Sequence, residues 1–191
     1  MVKFFQNLNL VLVVGLLLTI AVIYGIGPNG EATAAAFRWL HLFFGVMWIG
    51  LLYYFNFVQI PTMPKVPAEL KPGVSKHIAP AALFYFRWGA AFTVLTGAII
   101  ALITPEWPGY LHDALALREG YMLIGIGMWL ALIMAFNVWF VIWPAQKKAL
   151  GLVEADDATK AAAATRAMIF SRTNTLLSLP MFYCMINANL G

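Results

Sequence analysis

Arg38, His41, Gly45, Trp48, Leu52, Asn56 and Gln59 recur at three- and four-residue spacing within the run RWLHLFFGVMWIGLLYYFNFVQ. At ~100° per residue they share one face of a helix, and Leu40, Phe43, Phe44, Met47, Leu51 and Tyr54 clothe the rest. A histidine with a cation one turn before it and a glycine one turn after it suits haem: an imidazole for iron, a small residue to admit the ring, a guanidinium for a propionate. His41 is therefore the candidate haem-iron ligand, Arg38 and Trp48 complete the candidate haem face, and haem b is the implied cofactor. The plainer reading stands beside it, a histidine hydrogen-bonded to a neighbouring helix. The second ligand is open. His77 falls at the opposite membrane surface, His112 lies in a loop that could fold back, and Met185 sits at a suitable depth. Copper held by His41, His112 and Met185 is a further option without diagnostic spacing. Trp48, with Trp88, Trp129 and Trp139, also reads as packing or interfacial.

A second constellation is cationic. Arg87 and Arg172 lie inside apolar runs, with Asn137 and Asn174 at comparable depth, while all 8 acidic residues lie in loops or their margins. Charges at such depth cost ~2.5 kcal/mol or more at a helix centre and mark a function or a partner. Arg87, Arg172, Asn137 and Asn174 thus form a candidate pocket for an anion: a haem propionate, a lipid phosphate, an anionic substrate or a carboxylate from another subunit. The competing reading is that both guanidinium groups snorkel to the nearby headgroups.

The elements that must carry these residues are membrane helices. Of 191 residues, 62% are hydrophobic and 10% charged, against a charged fraction of about 25% in soluble domains. The +4 net charge resides in short loops flanking apolar runs, with no basic stripe for nucleic acid. The single cysteine, Cys184, excludes an internal disulfide, a four-cysteine zinc site and a C-x-x-C-H haem attachment. No Ser-His-Asp arrangement or phosphate loop is present, and no internal repeat supports a two-fold transporter.

The apolar pattern predicts an all-α integral membrane protein, a bundle of five transmembrane helices in one membrane domain, 1–191. Its helices fall at approximately 8–26, 34–60, 77–103, 120–143 and 168–190, with a polar helical segment at 153–166. The first apolar run exceeds the ~7 to 15 residues of a cleaved signal core, so it is expected to be retained. Gly27-Pro28-Asn29-Gly30 is the expected turn after it. Pro61, Pro64, Pro67 and Pro72 are expected to keep residues 61–76 out of helix, and Pro144 to stop the fourth span. The loop 104–119, with Pro105, Trp107 and Pro108, is expected to hold a short interfacial helix. Lys3, Lys65, Lys71, Lys76, Lys147, Lys148, Lys160 and Arg166 share one side of this arrangement, and only Arg38 and Arg118 the other. The positive-inside rule then puts the N-terminus in the cytoplasm and the C-terminus in the periplasm.

WLHLFFGVMWIGLLYYFNFVQIP, ALFYFRWGAAFTVLTG, NVWFVIWPAQKKALG and SRTNTLLSLPMFYCM together resemble the urate oxidase N-terminal domain family, the membrane domain of cytochrome-c-coupled bacterial urate hydroxylases. The resemblance implies a multi-pass protein of the bacterial inner membrane. With no C-x-x-C-H, the chain is expected to be a short stand-alone form lacking the cytochrome c domain. The expected function is an integral membrane subunit of a respiratory or oxidase-type redox complex, docking a partner, lipid or haem through its intramembrane polar faces. The alternative is a membrane redox protein, b-haem-binding or urate-hydroxylase-like. Its partners would be membrane lipid and other membrane subunits or a cytochrome c.

Overall fold

The structure, a computed structural model, describes residues 2–27, 32–104 and 109–188, and they form helices without strands. Pro28, Asn29 and Gly30 of the expected turn, Pro105, Trp107 and Pro108 of the expected outer loop, and the final residues 189–191 lie outside the described residues. After one turn at Val2–Phe5 come α1 (Leu8–Ile26), α2 (Ala32–Lys65), α3 (Lys71–Ile103), the short α4 (Gly109–Leu115), α5 (Met122–Ala149) and α6 (Asp157–Asn187). Four of these, α1, α2, α3 and α5, are long and apolar enough to cross a membrane, as a multi-pass membrane protein requires. α6 opens instead on the polar run DATKAAAATR.

Of the prolines expected to keep residues 61–76 out of helix, Pro67 does so, in the turn at 66–70, and the others do not. α2 continues through Pro61 and Pro64, α3 begins at Lys71 rather than near residue 77, and α5 runs past Pro144 to Ala149. α2, α3 and α5 each accommodate one proline by widening, whereas α6 carries Pro180 within an uninterrupted α-helix. The π-helical stretches Tyr54–Gln59, Val74–Ile78 and Asn137–Ile142 each end two residues before Pro61, Pro80 or Pro144. Proline has no N–H, and its ring collides with the carbonyl four residues back. Moving to i→i−5 bonds, as in Ile60 N–H to Phe55 O and Trp143 N–H to Val138 O, relieves both problems. Each extra residue also rotates the following helix by roughly 100° against an ideal α-helix. The face projected from Arg38 through Gln59 is therefore broken after Tyr53, and Phe55, not Asn56, turns fully inward.

The polar segment expected at 153–166 and the span expected at 168–190 are one continuous helix, α6. Nothing in its alanine-rich opening interrupts the α ladder, and Asp156 starts it, accepting from Thr159 N–H at 2.7 Å and Thr159 Oγ1 at 3.1 Å. Those bonds hold the Asp156 carboxyl below its usual pKa. A depressed carboxylate pKa contributes stability that is present above the unfolded value and lost as pH falls through the folded one. Asp156→Ala, or acidification below the carboxylate range, is expected to fray the first turn of α6, read as faster amide exchange at Ala158 to Lys160.

The core lies where α2, α3, α5 and α6 meet: Trp48, Leu52 and Phe55 pack on Leu83, Phe86 and Ala90, and these on Met134, Val138, Ile142 and Met181. α5 with α6 and α2 with α3 make the two most extensive pairs. α4 folds back on α5, its Ala114 carbonyl seated over Gly125 and its Leu115 carbonyl accepting from Trp129 Nε1 at 2.9 Å. α1 stands apart, with no buried residue.

Candidate functional site

Polar groups within the bundle concentrate where the widened turns of α2 and α5 face α3 and α6. Asn137 Nδ2 donates to Asn174 Oδ1 at 2.9 Å, and Asn174 Nδ2 donates to the Met134 carbonyl at 2.9 Å. Asn174 is wholly buried. Asn56 Nδ2 donates to Ser171 Oγ at 2.8 Å and to the Leu52 carbonyl at 2.9 Å, while the Tyr53 and Ser178 hydroxyls pair at 2.9 Å. In hydrocarbon such side-chain bonds between helices are worth about 0.6 kcal/mol on average, so these pairs mainly set the register of α2 and α5 against α6.

Arg87, on α3, lays its guanidinium flat over Trp143 of α5, 3.4 Å from the ring centroid, with Trp139 farther away at 6.0 Å. Trp139 Nε1 donates to the Arg87 carbonyl at 3.2 Å. Arg87 Nε and Nη1 are shut away from solvent without a hydrogen-bond acceptor, and Asn56 Oδ1, Gln59 Oε1 and Trp48 Nε1 are likewise buried without partners. Donors on α3 and acceptors on α2 are thus both left unused inside the bundle, each normally worth satisfying.

The four residues of the expected anion pocket do not converge. Asn137 and Asn174 spend their amides on one another and on the α5 backbone, Arg87 is committed to Trp143, and Arg172 stands on the exposed side of α6. Trp143 and Ser171, which hold Arg87 and Asn56, were not singled out from the sequence. The i, i+4 spacing of Trp139 and Trp143 was a legible signal for a cation-stacking face.

The face expected to hold haem is covered by α3. His41 Nδ1 lies 2.9 Å from the Thr93 carbonyl and 3.3 Å from Thr96 Oγ1, and its ring rests on Gly97, where a Cβ would come within 2.9 Å of Cε1. Gly45 looks onto Thr93, and Trp48, 1% exposed, backs onto Gly89. The slot meant to admit a porphyrin is filled by the neighbouring helix, so haem does not fit between α2 and α3. Arg38 is exposed. His112 is exposed beside Asp113 and Met185 packs at Gly127, so neither joins His41; His77 is exposed near the start of α3. Among the described residues no group of three or more His, Cys, Asp or Glu could hold a metal.

The half of the chain containing α4, α5 and α6 carries Asn137, Trp143, Arg172 and Asn174. Residues 109–191 match the urate oxidase N-terminal family. No curated protein and no solved structure matches the chain. The urate oxidase N-terminal match takes in NVWFVIWPAQKKALG and SRTNTLLSLPMFYCM, whereas the resembling stretches of α2 and α3, with His41 and Arg87, fall outside it.

Proposed function

We propose that the chain is an integral membrane subunit of a respiratory or oxidase-type redox complex in the bacterial inner membrane, and that it docks a partner membrane subunit through the outward face of α6. In this reading α6 is a fifth span, the N-terminus is cytoplasmic and the C-terminus periplasmic. The redox setting rests on the urate oxidase N-terminal match.

The observation that carries the docking is Arg172. It lies on an exposed face with Ile169, Leu176, Leu179 and Tyr183, which are 51%, 67%, 65% and 64% exposed. Along α6 it is six residues, ~9 Å, deeper than Arg166. Among the described residues it forms no hydrogen bond or ion pair. An unpaired guanidinium facing lipid at depth costs about 2.5–3.5 kcal/mol, and the chain's own acidic residues are all in loops or their margins. A carboxylate on a partner's helix would remove that cost. α1, with no buried residue, adds a second uncommitted surface.

The test is purification in mild detergent with the co-purifying polypeptides identified. A stoichiometric membrane partner is expected with the unaltered chain, lost with Arg172→Ala and retained in part with Arg172→Lys. If Arg172→Ala keeps the same partners in the same amounts, Arg172 merely snorkels and the docking reading fails.

A further inference from the structure

Beside the connection between α5 and α6 lies a cleft of about 260 Å³, walled by Phe140, Pro144 and Lys148 of α5 and by Thr159, Ala162 and Arg166 of α6. Its back is made of small residues. Ala145 packs against Ala163 and Ala167, which lets the two helix backbones approach and leaves the larger flanking side chains to form the rim.

The two cations line the same cleft from opposite helices. Helical side chains lean towards the N-terminus of their own helix. α5 and α6 run antiparallel, so this lean carries side chains at the levels of Lys148 and Arg166 towards one another. No acidic residue lines the cleft. Of the nearby carboxylates, Asp156 holds the Thr159 amide and hydroxyl, Asp157 pairs with Lys160 at 3.5 Å, and Glu154 is exposed beside Asp156 and Lys160 rather than in the cleft. Neither Lys148 nor Arg166 has a hydrogen-bond or ionic partner among the described residues. Lys147, the neighbouring cation, is turned over Trp143 at 5.7 Å. Two positive charges therefore line the cleft together with an apolar wall, of which Phe140, 67% exposed, is the outward end.

We infer that this cleft is a binding site for the phosphate of an anionic phospholipid, with Lys148 and Arg166 clasping the headgroup and the acyl chains lying along Pro144 and Phe140. Basic pockets between membrane helices recognise anionic headgroups in this way. A free phosphate would satisfy the cations but leave the apolar wall unused.

The experiment is native mass spectrometry of the protein in mild detergent, offered phosphatidylglycerol or phosphatidylcholine with the same acyl chains. Preferential retention of phosphatidylglycerol is expected, falling about fivefold for each of Lys148→Gln and Arg166→Gln. Lys147→Gln and Lys160→Gln should change it little. Helical content and elution volume, unchanged in the variants, exclude misfolding as the cause. Equal retention of the two lipids, or equal loss in the Lys147 and Lys160 variants, would overturn the site. Displacement of the lipid by millimolar inorganic phosphate would overturn the phospholipid and assign the cations to a soluble anion.

Discussion

Gly89→Leu is expected to cost about 3 kcal/mol or to prevent assembly of the bundle. A Cβ at Gly89 would stand 3.1 Å from the Trp48 backbone nitrogen and 3.3 Å from its Cα. These are main-chain atoms of α2 and cannot yield as a flexible side chain would. Relief requires the whole of α2 to move away from α3, across one of the two most extensive helix pairs in the protein. Inserting methylenes into a packed core typically costs 1–3 kcal/mol, and a leucine against backbone belongs at the upper end. Gly89→Ala should cost about 1 kcal/mol by the same scale. Unfolding of both variants by SDS titration in mixed micelles measures the difference. A Gly89→Leu protein as stable as the unaltered chain would mean that α2 and α3 do not cross at Trp48.

The second large effect concerns Arg87 and Trp143, and its sign depends on which partner is removed. Trp143→Leu takes away the ring on which the guanidinium rests and leaves a charge with buried, unsatisfied Nε and Nη1. A desolvated cation–π contact is worth about 2 kcal/mol, so that loss is expected. Arg87→Met removes the charge together with its desolvation cost, and a buried charge replaced by a well-packed apolar side chain is often neutral or stabilising. In an Arg87→Met background, Trp143→Leu should therefore cost less than about 1 kcal/mol. Equal costs in the two backgrounds would show that Trp143 serves as hydrophobic packing alone.

The long apolar runs made the helical class, the membrane setting and the rough positions of the helices legible, because hydropathy and helix length are local quantities. Arg87, Asn137 and Asn174 stood out for the same reason, since polar residues within apolar runs need partners. Which partners they take was not legible. Asn137 and Asn174 satisfy each other across α5 and α6, and Arg87 meets Trp143 across α3 and α5. The prolines misled in a definite way. Proline's missing N–H reads locally as a helix stop, but tertiary packing favours a continued helix, and the conflict is settled by a widened turn that also rotates Asn56 away from the His41 face.

His41 shows the same division. Its spacing from Arg38 and Gly45 was sufficient to place it on an inward polar face, and that face is where it lies. Whether the face would meet a porphyrin or a helix depended on Thr93, Thr96 and Gly97, more than fifty positions later, whose small side chains let α3 come close enough for Nδ1 to reach a backbone carbonyl at 2.9 Å. The cleft of Lys148 and Arg166 likewise needs two antiparallel helices before its charges converge. The sequence by itself determined that this chain builds apolar helices and carries cations at their margins and within them. The tertiary structure alone decided which polar groups are consumed in holding the helices together and which, like Arg172, Lys148 and Arg166, are left facing outward, because pairing depends on distances between residues far apart in the chain.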